Sequence, residues 1–370
     1  RRRFPDIERP FRVPLVPLLP ALGIAANLYL IVQIFQHPLP LFLALGSLVL
    51  GIAYFVTWKG AQPEEAVLPG VPSHVAHSQG RGSMDKERFR VLVPLANPAT
   101  MQQLIRLAAA IAREKQGEVL LLKVVTVPEQ LPLTAFDERT IEREEAQLHR
   151  ARKLAEELEV PSHELIKVSY NVARAILETA RERFCDLILL GWKGHSTSRE
   201  KIFGTITDAI LTHARCDLLL AKFAGSELPQ RFLLPTAGGE HARCAEQYAA
   251  AIARSLGGSL TVCQVVRPDL EKEALTQRQE NLAHALERIQ QSNGLQVDSL
   301  LIPHPNVVQG IVQAAGRFDA VVVGAAGRSI YPQILLGNIP EEIARRVDKT
   351  VLVVKHYHPV KALLGRVMGD

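Results

Sequence analysis

The chain has 370 residues and a mass of 40.8 kDa, enough for two or three domains. With 47% hydrophobic and 22% charged residues it is excluded from the disordered class. The net charge of +5 gathers at the front, where residues 1–12 hold five arginines against Asp6 and Glu8, and no basic stripe elsewhere supports a nucleic-acid partner.

Val13 to Trp58 is a run of 46 residues without one Asp, Glu, Lys or Arg. A spanning helix needs about 20 apolar residues. Gln36-His37-Pro38-Leu39-Pro40 breaks the run into two stretches of that length, about 13–35 and 39–58. This predicts a two-helix transmembrane hairpin, with Trp58 at a membrane interface and the lipid bilayer as partner. The arginines flank one end and Lys59 the other, so the positive-inside rule places both ends in the cytosol. The first residue is Arg1, not methionine, and the chain reads as starting inside a larger protein.

Arg3-Phe4-Pro5-Asp6-Ile7-Glu8-Arg9-Pro10-Phe11-Arg12-Val13-Pro14 resembles the loop entering the eleventh helix of amino acid–polyamine–organocation permeases. Asn27-Leu28-Tyr29-Leu30 and Gly51-Ile52-Ala53-Tyr54 are similar to that family's last two helices. The resemblance covers residues 1–58. It implies that residues 1–59 end a multi-pass permease of the inner (plasma) membrane, whose substrate-binding helices are missing from this sequence.

Residues 60–87 are rich in Gly, Pro, Ser and His without periodicity and read as a flexible tether. Short apolar runs then alternate with helical periodicity, the pattern of a parallel α/β sheet. Strands are predicted over 90–95, 118–125, 164–169, 186–190 and 217–222, and helices over 100–115, 138–159, 172–184 and 205–214. The order then repeats: Tyr248-Ala249-Ala250-Ala251-Ile252-Ala253-Arg254 matches Leu107-Ala108-Ala109-Ala110-Ile111-Ala112-Arg113. Asp319-Ala320-Val321-Val322-Val323-Gly324 likewise matches Asp186-Leu187-Ile188-Leu189-Leu190-Gly191. Two copies of one domain are expected, over 88–224 and 230–356, with a tail over 357–370. The last strands, Leu218–Ala221 and Val351–Val354, are apolar edges expected to pair the copies.

After the fourth strand of the first copy come Gly191 and Gly194, nine residues, then Gly204-Thr205-Ile206-Thr207. The second copy repeats this as Gly324 and Gly327, nine residues, then Gly337-Asn338-Ile339-Pro340. Glycines there let the backbone approach a phosphate at the carboxyl ends of the strands. The next helix offers its free N–H groups and its dipole. Pro340 lacks an N–H, so the first copy is expected to bind more tightly than the second.

The pattern resembles the ATP-binding motif of universal stress protein domains. The resemblance implies an adenine nucleotide alpha hydrolase-like fold with a five-stranded parallel sheet per copy. It assigns Gly191, Gly194, Gly204, Thr205 and Thr207 in the first copy to ATP or another adenine nucleotide. In the second copy it assigns Gly324, Gly327, Gly337 and Asn338. Many nucleotide-binding members carry an aspartate just after the first strand; Ala96 and Ala237 stand there. Lys193, His195, Arg199 and Arg328 lie in the same loops.

No catalytic constellation and no metal-ligand spacing is present, and the four cysteines read as small buried residues in a reducing compartment. The expected function is a permease carrying a cytosolic nucleotide-sensing tail, not an enzyme. The alternative is a nucleotide-free tail acting as an oligomerisation or partner-binding module.

Overall fold

The computed structural model describes residues 22, 24, 29, 42, 46–51, 74–79, 88–134, 138–192, 204–269, 271–290, 295–325 and 338–358. It divides into two units, residues 1–69 and 70–370. In the first, residues 46–51 are helical, with Leu48, Val49 and Leu50 all exposed. Among the described residues no helix is long and apolar enough to cross a membrane. Apart from these few positions, the hairpin expected over 13–35 and 39–58 lies outside the described residues.

The second unit is built around one 11-stranded sheet. Strand β1 (His74–Gln79) precedes the first copy, which comprises β2 (Arg90–Pro94), α1 (Pro98–Glu114), β3 (Glu118–Thr126), α2 (Glu138–Glu157), β4 (Ser162–Ser169), α3 (Val172–Glu182), β5 (Leu187–Gly191), α4 (Thr205–His213) and β6 (Asp217–Lys222). The second copy runs through β7 (Arg231–Pro235), α5 (Glu240–Ser255), β8 (Ser259–Val266), α6 (Lys272–Gln290), β9 (Gln296–Pro303), α7 (Val307–Ala315), β10 (Ala320–Gly324), α8 (Asn338–Arg346) and β11 (Thr350–Lys355). Across the sheet the order is β1-β4-β3-β2-β5-β6-β11-β10-β7-β8-β9. Each copy is therefore the expected five-stranded parallel, doubly wound unit.

The segment over 60–87 is more than the tether read from sequence. Its residues 74–79 form β1, paired antiparallel to β4 from His74 opposite Val168 to Gln79 opposite Glu164, with a bulge between Val75 and His77. An edge strand held by backbone hydrogen bonds needs no apolar alternation, so its sequence carries little signal.

Strand residues alternate between two cores. Val91 and Val93 face the layer of α1, α2, α5 and α6; Leu92 faces that of α3, α4, α7 and α8. The duplication extends to helix caps. Asn171 accepts from the Arg174 amide (3.0 Å) and Asn306 from the Gln309 amide (3.0 Å), each satisfying a first-turn N–H that the helix leaves open.

The copies join as expected through their last strands, antiparallel, with Leu352 opposite Ala221 and Val353 opposite Leu220. Reciprocal lysines tie the joint. Lys222 Nζ donates to the Ala344 and Val347 carbonyls (3.0 and 2.7 Å), and Lys355 Nζ to that of Leu211 (2.5 Å). Each thereby satisfies carbonyls at the end of the other copy's fourth helix. Arg254 and Glu114 add an ion pair between α5 and α1.

Candidate functional site

In each copy the first and fourth strands are neighbours whose following helices lie on opposite faces of the sheet. A crevice opens at that switch point, outside the strands' carboxyl ends. In the second copy it is a cavity of about 630 Å³ between the ends of β7, β8 and β10 and the first turn of α8. That volume suits a small organic ligand.

Two glycines of the predicted pattern have specific reasons to be glycine. Gly204 caps α4 with φ +100°, in the region other residues avoid, although among the described residues a Cβ there would meet no atom within 4 Å. At Gly324 the reason is space: a Cβ would sit 2.5 Å from the His241 carbonyl oxygen and 2.8 Å from the Ala242 nitrogen. Gly191, its counterpart, is looser, with Leu104 Cδ1 at 3.2 Å as the nearest atom.

In the first copy Gly191 ends β5, Thr205 is exposed as the first residue of α4, and Thr207 is half-buried. In the second, Gly324, Ile339 and Pro340 line one cavity, and Asn338 opens α8. Gly194, Gly327 and Gly337 lie outside the described residues, as do Lys193, His195, Arg199 and Arg328. Ala237, at the place where an aspartate is common, also lines the second cavity.

The walls of that cavity are largely apolar, with Val307, Ile311, Val323 and Ile343 among them. The Thr236 hydroxyl donates to Glu246 (2.9 Å), which Arg288 holds through both carboxylate oxygens. Burial pushes the Cys263 thiol up to about 12, so it stays protonated and inert.

Sequence reasoning missed two lining residues, Gln264 and Arg278. Gln264 is 3% exposed, and among the described residues neither its amide nitrogen nor its amide oxygen has a hydrogen-bond partner. A buried amide without partners is costly, and a ligand that pairs with it removes that cost. Strand register places Gln264 where the first copy has Lys123. The buried residues Leu148 and Leu282 align α2 with α6, which sets Arg278 opposite Glu144. Lys123 and Glu144 form an ion pair at 2.8 Å. The second copy has replaced a closed pair with an open amide and an exposed guanidinium. Only a register-level alignment of the copies would have shown it.

The family model of the Universal stress protein family matches residues 87–222 and 229–355, and that of the C-terminus of AA_permease matches residues 11–60. The chain belongs to the universal stress protein family, with two tandem domains behind a permease C-terminal region. Among curated proteins, the Na(+)/H(+) antiporter NhaS5 of Synechocystis is 25% identical over 268 residues, 72% of this chain and 38% of that protein. The universal stress protein MJ0577 of Methanocaldococcus jannaschii is 30% identical over 87 residues, 23% of this chain and 52% of that one. The chain thus spans less than two thirds of either relative. A universal stress protein structure from Pseudomonas aeruginosa superposes with a TM-score of 0.53 at 16% identity, covering 78% of this chain and all of that one. The cytoplasmic domain of a prokaryotic cation chloride cotransporter gives 0.50 at 14%, covering 75% and 99%. Both share the fold.

Proposed function

We propose that the chain is the end of an amino-acid permease of the inner membrane whose tandem domains form a cytosolic sensor for an adenine nucleotide, ATP foremost. The observation that carries the nucleotide reading is the second-copy crevice, which sits at the switch point, is bordered by a helix N-terminus and contains a buried amide unpaired among the described residues. The permease reading rests on the match at residues 11–60 and on the 46-residue uncharged run.

In this reading Gly191, Gly194, Gly204, Thr205 and Thr207 hold the phosphates and ribose in the first copy, and Gly324, Gly327, Gly337 and Asn338 do so in the second. No step of bond making is assigned to either. The ligand acts by binding one arrangement of the tail better than another, which shifts the transporter's equilibrium by that difference in affinity. The hairpin over 13–35 and 39–58 crosses the membrane with both ends in the cytosol. Impermeant thiol reagent applied to intact cells leaves Arg3→Cys and Val75→Cys unmodified; labelling of either sinks this topology.

The second reading, a nucleotide-free module for oligomerisation or partner binding, is favoured by one observation. Among the described residues nothing pairs with the outer edge of β9. Calorimetric titration of the chain with ATP, ADP and AMP separates the two readings. Heat of binding at micromolar nucleotide supports the sensor, and its absence with all three supports the module.

A further inference from the structure

At the joint between the copies, three chemically different ligand groups converge from distant parts of the sequence. Asp217 opens β6 of the first copy, Cys244 lies on α5, and His356 follows β11. One ligand atom from each lies within 4.8 Å of the others. The Cys244 thiol donates to Asp217 Oδ2 (3.3 Å), and His356 Nδ1 lies 2.7 Å from Oδ1. The Tyr248 hydroxyl (2.9 Å) and the Tyr357 amide (2.9 Å) donate to the same carboxylate and fix its orientation. Two further imidazoles surround the group. His358 meets His356 edge-on with ring centres 4.5 Å apart, and His241 meets His358 at 6.1 Å.

The internal symmetry supplies a control inside the same molecule. The strand pairing that relates β6 to β11 puts Thr350 where Asp217 would be, and Phe223 where His356 would be. Gln103 stands at the place of Cys244 by the match of α1 to α5. The backbone geometry is kept: the Ala224 amide donates to Thr350 Oγ1 (3.1 Å) as that of Tyr357 does to Asp217. Gln103 Nε2 simply donates to the Gly225 carbonyl (2.8 Å). One half of the joint is thus a neutral hydrogen-bonded contact. The other has acquired a sulfur, an imidazole and a carboxylate at once.

From this convergence of Asp217, Cys244 and His356 we infer a binding site for a zinc-type divalent cation that staples the first copy to the second. Thiolate sulfur, imidazole nitrogen and carboxylate oxygen are all zinc ligands, and three protein ligands leave a fourth tetrahedral position for water. With metal–ligand bonds of about 2.0–2.3 Å, tetrahedral ligands stand about 3.3–3.8 Å apart. Here the thiol lies 3.3 Å and the imidazole 2.7 Å from the Asp217 carboxylate, and the three ligand atoms fall within 4.8 Å, so small side-chain shifts suffice. Binding replaces the Cys244 S–H bond with a sulfur–metal bond and releases one proton to solvent. The thiolate and the Asp217 carboxylate then carry two negative charges, which the dication neutralises. Asp217 is 17% and His356 36% exposed, so an ion can enter from the surface. The site is independent of the nucleotide crevice and stands whether or not that crevice is filled.

The test uses the full chain, stripped with a chelator and titrated with zinc and, separately, with cobalt. One zinc per chain is expected, with a thiolate-to-cobalt charge-transfer band and a higher unfolding midpoint in zinc. Cys244→Ser loses the band, whereas Asp217→Asn keeps it only at saturating cobalt. Both bind more than about 100-fold more weakly, since even outer-shell changes cost about 10–100-fold. Should Cys244→Ser fail to fold, His356→Gln, at a more exposed position, decides by the same readouts. Cys263→Ser, on β8 and three places from β11 in the sheet, retains binding. Zinc that is not retained, a cobalt spectrum without the thiolate band, or binding unchanged in His356→Gln overturns the proposal.

Discussion

The two copies share strand order, helix caps and reciprocal lysines, yet they differ at their outer edges and in their crevices. In the first copy β1 covers β4, and Lys167 on β4 is 1% exposed, bonded to Glu182 at 2.9 Å. In the second copy β9 is uncovered among the described residues, several of its side chains are exposed, and Ile302 stands where Lys167 would be. The first crevice has its Lys123–Glu144 pair closed and a glycine with positive φ before two threonines. The second has an amide unpaired among the described residues, an exposed arginine and a proline in its helix turn. Duplication supplied one scaffold twice. Divergence then fell on the places where topology leaves freedom, the edge and the carboxyl ends of the strands.

The largest difference is expected from a single methyl group. Gly324→Ala forces a Cβ against the backbone of α5 and destabilises by about 3 kcal/mol, at the upper end for overpacking. Gly191→Ala meets only the movable end of Leu104 and costs about 1 kcal/mol or less. Urea unfolding of both variants measures the gap; equal losses would mean that the two crevices are equally tight.

Lys355→Met comes next, at about 1.5–3 kcal/mol for a lost hydrogen bond from a charged group. Burial holds the Lys355 ammonium below its usual range. Between that lowered value and the unfolded value of about 10.4, the unfolded chain binds more protons. Stability attributable to this group therefore rises with pH through that window, and full protonation penalises the fold below it. The Lys355→Met variant lacks the rise. A pH series of unfolding midpoints that slopes equally in wild type and variant contradicts the assignment.

Much of the scaffold was legible because it is periodic. Alternating strands and the matching segments 107–113 with 248–254 and 186–191 with 319–324 recur in both copies, and each repetition supports the other. Strand β1 was not legible, since its place is set by the edge it covers. Gln264 was hidden for another reason: a lone polar residue in a strand looks the same whether its partner is present or missing. The cluster at the joint joins residues 27 and 139 positions apart, which no local spacing reveals. Of the nine predicted glycine-pattern residues, Gly194, Gly327 and Gly337 lie outside the described residues, so their role rests on the repeated spacing alone.

A smaller effect is read by hydrogen exchange. The amides of β4 that pair with β1 exchange slowly, and those on the outer edge of β9 exchange fast. Removing residues 74–79 brings β4 towards the behaviour of β9 without unfolding the sheet. If β4 stays protected after that deletion, its cover is not what separates the two edges.

The proposed sensor requires both crevices to accept an adenine nucleotide, with the first holding its phosphates better. Calorimetric titration of the full chain with ATP tests it, alongside Gly204→Ala and Pro340→Ala. Two unequal sites are predicted. Gly204→Ala, which strains a residue at φ +100°, removes the tighter one. Pro340→Ala restores an N–H in the first turn of α8 and strengthens the weaker site about tenfold, the low end for a hydrogen bond to a charged group. Two equal sites, a tight site that survives Gly204→Ala, or no binding of ATP would contradict it.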